Sequence, residues 1–281
     1  EVDGKPMIEH VVNLFSPDDD FVFICNNDHL RDTHMREVLG RIAPHGLIVG
    51  IDYEKKGPIY GMLQALAQQD FLKDDEPVIV NYCDFGLHWD YEDFKRVVKE
   101  RDCDGAIPCY IGAHPHNFGP DFYGYVRMDN DHNMIEVREK EPYTDNKMNE
   151  YAAAGMYYFK TGAMLKAYGK KLVALGIHTN GEHYAALPYN LMKQDGLTTY
   201  IYELPHFLQW GTPRDLEEYE SWSQYFADKA GKEKGRTTLP ERRERNPKLT
   251  LTPEAFAQCH DYWKACFHKL DFHPYTHEGE S

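Results

Sequence analysis

The chain has 281 residues and an ordinary apolar share of 42%, enough for one large domain or two modest ones with a sizeable core. Its formal charge of −15 argues against a nucleic-acid surface, which needs clustered Lys and Arg; a small anionic ligand could still be held by a few Lys side chains and backbone N–H groups. No stretch approaches the roughly 20 apolar residues of a membrane span, and the opening EVDGKPMIEHVV is no signal segment. A cytoplasmic protein with no membrane and no nucleic-acid partner is expected.

Cys25, Cys83, Cys103, Cys109, Cys259 and Cys266 are scattered, with no C-x-x-C pair and no zinc-like Cys/His spacing, as free thiols in a reducing compartment would be. The 20 Tyr read mainly as packing, although such rings also stack on sugars or bases.

In chain order, Met7, Ile8, Val11, Val12 and Phe15 recur at helical spacing, and a strand fits residues 21–25. Leu30, Met35, Val38 and Leu39 follow on a less regular helical face, before a strand at 47–51. Gly57-Pro58 opens a helix over 59–72, residues 78–82 form a strand, and 91–98 a further helix. This β/α alternation predicts a layered, Rossmann-like α/β domain with a mixed, mainly parallel sheet flanked by helices.

From Gly105 the rhythm changes to strands at 106–111, 123–128, 134–138 and 152–159, with residues 129–133 as a hairpin turn. Thr161 caps a helix to Tyr168, residues 182–194 form another, and 197–204 a late strand. A helix from Pro213 to Phe226 has Pro in its first turn. Residues 231–248 are polar, charged and nearly devoid of apolar residues. The expected organisation is therefore a domain over 1–230, a linker over 231–250 and a helical extension over 251–281, with the basic run Arg242-Arg243-Glu244-Arg245 inside the solvated linker.

Four short segments carry more specific information. Gly4-Lys5-Pro6-Met7-Ile8-Glu9-His10 follows G-K-P-[ML]-I-x-[HY], and Val78 to Asp84 is an apolar strand ending in an acid. Tyr123-Gly124-Tyr125-Val126 with Val137-Arg138-Glu139-Lys140 follows Y-G-x-V and x-x-E-K, and Gly155-Met156-Tyr157-Tyr158-Phe159 follows G-[IM]-Y-x-F. In this order they resemble the sugar-phosphate nucleotidyltransferases, the nucleoside-diphosphate-sugar pyrophosphorylases and their capsule-synthesis relatives.

The resemblance implies a glycosyltransferase-A-like nucleotidyltransferase fold and transfer of NMP from an NTP to a phosphorylated sugar or polyol, with release of pyrophosphate, for surface polysaccharide synthesis. A strand-end acid is where ligands collect in open α/β sheets, and the resemblance gives Asp84 the role of Mg²⁺ ligand. It implies that Lys140 meets the acceptor phosphate and Glu139 the sugar hydroxyls, while Gly124 and Gly155 let backbone approach the sugar. Gly57, Pro58 and Gln64 correspond to the segment bordering the nucleotide base. His88 and Trp89 follow Asp84 closely enough to shape the acceptor site, core packing being the other reading of Trp89.

The family's pattern is broken in two places. Its G-x-G-x-R turn and P-K-P segment do not stand before Gly4, so roughly 20–30 further upstream residues are expected in the natural chain, enough for a strand and a Gly-rich loop. Leu208-Gln209-Trp210-Gly211-Thr212-Pro213 carries Gln209 where x-D-x-G-T-P has an acid that helps hold the metal. Two other classes share the fold. A glycosyltransferase commonly has D-x-D, where Asp84-Phe85-Gly86 offers one acid. A non-catalytic nucleotide-sensing subunit would tolerate Gln209. The base, the acceptor and any homo-oligomer are left open by the sequence.

Overall fold

The computed structural model describes residues 1–119, 122–233 and 252–269. The first half alternates helix and strand: α1 (Met7–Val12), β1 (Val22–Asn26), α2 (Asn27–Asp32), α3 (Met35–Ile42), β2 (Leu47–Ile51), α4 (Pro58–Gln68), β3 (Val78–Asn81), β4 (Phe85–His88) and α5 (Tyr91–Arg101). Then come β5 (Gly105–Tyr110), β6 (Gly124–Met128), β7 (Met134–Glu139), β8 (Tyr151–Ala153), β9 (Met156–Phe159), α6 (Gly162–Ala174), α7 (Pro188–Gln194), β10 (Thr199–Glu203), β11 (His206–Gln209), α8 (Pro213–Glu233) and α9 (Pro253–Lys269). Short polar caps start two of the helices: Asp90 accepts from Asp93 N (3.0 Å) before α5, and Thr161 from Met164 N (3.2 Å) before α6.

The expected α/β class is observed, a mixed sheet flanked by helices, but the sheet is mostly antiparallel rather than mainly parallel. Seven strands pair in the order β3-β9-β5-β8-β6-β7, with β10 joined to β5. Only β1–β2 and β5–β10 run parallel. The cause lies in the connections from β5 to β9, none of which contains a crossover α-helix. Without such a crossover, successive strands pair antiparallel.

The strand expected over 152–159 is two strands. β8 and β9 both lie along β5 but part at Ala154-Gly155, so that β8 turns its other edge to β6 and β9 to β3. The break falls beside Pro108, which has no N–H to give a neighbouring strand; its carbonyl still accepts from Ala154 N at 2.9 Å. The helix expected over 182–194 starts only at Pro188, after a turn at 185–187, with His183 and Tyr184 in irregular chain.

Ile59 and Met62 of α4, Leu165 and Leu172 of α6, and Leu191 and Met192 of α7 bury one face of the sheet over Ile107, Val126, Val137 and Phe159. Phe94 and Val98 of α5 cover Ala106 in a separate cluster. A ribbon not expected from the sequence, β4 with β11, pairs antiparallel and carries the aromatic cluster in which α8 and α9 pack around Trp210, Tyr219, Trp222, Tyr262 and Trp263. Asp3 ties the chain start to α8, accepting from Tyr219 Oη (2.5 Å) and Ser223 Oγ (3.0 Å).

α8 reaches Glu233, past its expected end at Phe226. Residues 234–251, which hold most of the expected linker and the Arg242-Arg243-Glu244-Arg245 run, lie outside the described residues, as do 270–281. Among the described residues no helix is long and apolar enough to cross a membrane.

Trp222 is fully buried and touches the rings of Tyr225, Phe226 and Phe256, so it joins α8 to α9. Trp222→Ala is expected to cost about 3–5 kcal/mol in urea unfolding. A loss under about 1 kcal/mol would mean that the helix pair is held by something else.

Candidate active site

The site forms where β8 and β9 part. Beyond β3, Tyr82 N donates to Gly155 O (3.0 Å), and the Tyr82 ring lies against the same glycine. Gly155 has φ +78°, and a Cβ on it would come within 3.0 Å of Tyr82 Cδ2 and 3.2 Å of Phe85 Cε1. Both the turn and the ring contact therefore call for glycine.

Two residues on, Asp84 enters the β4–β11 ribbon. Its carbonyl accepts from Trp210 N (3.1 Å), and Gln209 pairs with Phe85. A Cβ on Gly211 would lie 2.5 Å from Asp84 Oδ2 and 2.9 Å from Gln209 Nε2, so the carboxylate and the carboxamide share the space that this glycine leaves. Burial pushes the Asp84 carboxyl above its ordinary range; its own backbone N–H opposes this, and Asp215 adds a smaller push in the same direction as burial. Asp215 lies in the first turn of α8, where its carboxylate accepts from Thr212 Oγ1 at 2.6 Å, and with Gln209 it lines a narrow cleft.

Gly124 and Glu139 face each other across β6 and β7. A Cβ on Gly124 would stand 3.1 Å from Glu139 Oε1. Glu139 is 6% exposed, and burial pushes its carboxyl up to about 7, against a smaller lowering by Lys140. The phenols of Tyr82, Tyr157 and Tyr184 all feel its charge. Lys140 ends the strand in a left-handed backbone (φ +61°), with its N–H on Tyr123 O (2.8 Å). Its ammonium donates to Tyr184 Oη and lies 4.6 Å from that ring's centroid.

Gly57 caps α4 with φ +89°, and a Cβ there would sit 2.5 Å from His183 N. The close approach lets His183 N donate to Lys56 O (2.8 Å) and His183 O accept from Ile59 N (3.1 Å), one residue from Tyr184. Gln64, about two turns into α4, donates Nε2 to Glu54 Oε1 at 3.1 Å, while its own Oε1 is buried without a partner.

Gly155 touches Tyr82, which feels the charges of Glu139, Tyr184 and Asp84, while Gly124 joins through Glu139 and Lys140 through Tyr184. Gly57 joins through His183, and Gln64 binds Glu54 instead of this group. His88 and Trp89 do not join it. His88 packs against His206 at 5.3 Å, and Trp89 donates to Leu14 O (2.9 Å) and packs on Phe15, Tyr91 and Phe94. Tyr82, Tyr184 and Asp215 were not singled out by the sequence reading. Their signal was weak: two tyrosines among 20 and one acid among 46 acidic residues.

A divalent cation is the group to test here. Among the described residues no set of three or more His, Cys, Asp or Glu gathers as a metal cage. Mg²⁺ does not ask for one, since it takes one or two carboxylates and completes its shell with water and phosphate oxygens. The Asp84 carboxylate beside Gly211 offers one such hard oxygen, whereas Gln209 turns its Nε2, a donor, toward the same space.

The sequence model of the family described as nucleotidyl transferase matches residues 1–203. The chain belongs to the nucleotidyl transferase family. No curated protein sequence matches it. A nucleoside-diphosphate-sugar pyrophosphorylase from Vibrio cholerae shares the fold at TM-score 0.61 and 20% identity, over 78% of this chain and 88% of that one. An inositol-1-phosphate CTP transferase from T. maritima does so at 0.56 and 14%, over 78% and 83%. A UDP-glucose pyrophosphorylase complexed with UDP-glucose gives 0.56 and 15%, over 81% and 89%. This nucleotidyltransferase therefore keeps the family's fold although little of the sequence is shared.

Glu139 makes a pH prediction with a definite sign. Its folded value of about 7 lies above the ordinary 4.5, so between those values the folded state holds a proton that the unfolded chain releases. Stability from this group therefore falls as pH rises through that window, by up to about 3 kcal/mol. Glu139→Gln should unfold with a flatter pH dependence between pH 5 and 8 and should exceed the wild type in stability at pH 8. Parallel curves for the two proteins in urea unfolding would contradict the buried carboxyl.

Proposed function

We propose that this nucleotidyltransferase moves NMP from an NTP onto the phosphate of a sugar or polyol phosphate and releases pyrophosphate. The observation that carries the reading is Tyr82, which lies against Gly155 at the break between β8 and β9 and feels the charges of both Glu139 and Asp84. An acceptor phosphate oxygen attacks the α-phosphorus in line, and the bond from that phosphorus to the bridging oxygen of the β-phosphate breaks. The nucleophile is already ionised near neutral pH, so no general base is required. Positioning and charge neutralisation are the protein's share of the work.

Lys140 takes the acceptor phosphate, while Glu139 accepts from the acceptor's hydroxyls. Gly155 lets the sugar approach backbone. Asp84 would hold Mg²⁺, which when bound offsets the negative charge of the phosphates. On the nucleotide side Gly57 shapes the turn into α4, and the unpartnered Gln64 Oε1 suits a base N–H.

The solved relatives named for sugar and inositol phosphates support the acceptor class. The motifs shared with capsule-synthesis members support a product used in surface polysaccharide, made in the cytoplasm where NTP is supplied. Gln209 beside Asp84 favours one second reading, a nucleotide-binding subunit without turnover. NTP binding with no pyrophosphate from any acceptor would mark it.

Three variants test the assignments by steady-state kinetics with pyrophosphate as readout. Asp84→Asn should lower Mg²⁺-dependent turnover about a hundredfold with the fold intact, and Gln209→Ala should do less. Lys140→Ala should raise the acceptor KM about 10- to 100-fold and change NTP binding little. Near-normal activity of Asp84→Asn would remove the cation role, and an unchanged acceptor KM and kcat would return Lys140 to the protein surface.

A further inference from the structure

Lys140 has a long, flexible side chain, yet its ammonium is held by a partner within the chain. It donates to Tyr184 Oη and sits over the Tyr184 ring, 4.6 Å from the centroid. Tyr184 has a single hydroxyl proton, and that proton goes to Glu182 Oε2 at 2.7 Å. The direction of the next bond follows: with its proton committed, Oη can only accept, and the donor it accepts from is Lys140. Burial and Glu182 both push the phenol's pKa up, so it stays neutral.

The segment bearing this tyrosine is itself fixed. His183 N donates to Lys56 O (2.8 Å), His183 O accepts from Ile59 N (3.1 Å), and Nδ1 of its ring lies 2.7 Å from Ile177 O. Tyr184 lies in irregular chain before the turn at 185–187 that leads into α7, with its hydroxyl at Lys140 beyond β7.

We infer that Tyr184, with its hydroxyl oriented by Glu182, is a positioning residue that holds the Lys140 ammonium ready for an acceptor phosphate. The inference rests on the reading of Lys140 as the contact for that phosphate. An ammonium has three N–H donors, and with one on Tyr184 two are left for phosphate oxygens. Holding the stem beforehand removes rotamer freedom that binding would otherwise have to remove. Tyr184 therefore acts through Lys140.

The test uses the substrate-free full chain, with inorganic phosphate as the probe. Acetylation of Lys140 is followed by peptide mass spectrometry while phosphate is titrated as a protectant, in the wild type, Tyr184→Phe and Glu182→Gln. Tyr184→Phe keeps the ring and drops only Oη. It should acetylate severalfold faster at Lys140 and need about tenfold more phosphate for half-protection, with the shift for Glu182→Gln in the same direction but smaller. Glu182→Gln also carries the test should Tyr184→Phe fold poorly, since it keeps the shape of the side chain and removes only its charge.

Protection in the wild type that is unchanged in both variants would overturn the role of Tyr184 and leave Lys140 as the phosphate contact. No protection of Lys140 by phosphate even in the wild type would overturn both.

Discussion

The run from Tyr151 to Phe159 has to satisfy strands on both sides of it, and beside it on β5 stands Pro108, a residue with no N–H. The chain meets this constraint by breaking at Ala154-Gly155 and giving one half to β6 and the other to β3. Everything at the candidate site follows from that break. Tyr82 can bond the Gly155 carbonyl only because β9 leaves β8 there, and the Tyr82 ring fills the place where a Gly155 side chain would stand. The same parting brings the β6–β7 edge, with Gly124, Glu139 and Lys140, up to the end of β3.

Electrostatics then sets what the opening can hold. Glu139 and Asp84 are both carboxyls that burial makes reluctant to ionise, in a chain of formal charge −15. A triphosphate and an acceptor phosphate cannot gather beside them without local positive charge. Under the proposed function Lys140, anchored on Tyr184, would supply it on the acceptor side. At Asp84, where burial and Asp215 both disfavour charge, the proposed function would have a hard metal ion on the carboxylate complete the balance. Burying Glu139 costs stability at neutral pH, a cost common where a titratable group serves a ligand rather than the fold.

Much of this was legible in the sequence. The β/α rhythm to about residue 100, the hairpin around Asp129 and the cap at Thr161 are local patterns, and local patterns survive folding. The Glu139-Lys140 pair and the acid after β3 were visible as short motifs. What could not be read was non-local: that β3 would meet β9 antiparallel, that 85–88 would leave the sheet for a ribbon with 206–209, and that Gln209 would then stand beside Asp84. Tyr184 was hidden for a different reason, because periodicity placed it on a helix that begins only at Pro188.

The account stands most directly on the reaction itself. A panel of CTP, UTP, GTP and dTTP against phosphorylated sugars and polyols, with Mg²⁺ and pyrophosphate as readout, measures it on the unaltered full-length protein. The account predicts pyrophosphate from a restricted set of pairs, only when NTP and phosphorylated acceptor are both present, and none when the acceptor lacks its phosphate. Pyrophosphate that forms equally well without an acceptor phosphate, or glycosyl transfer from a nucleotide sugar in its place, would contradict it.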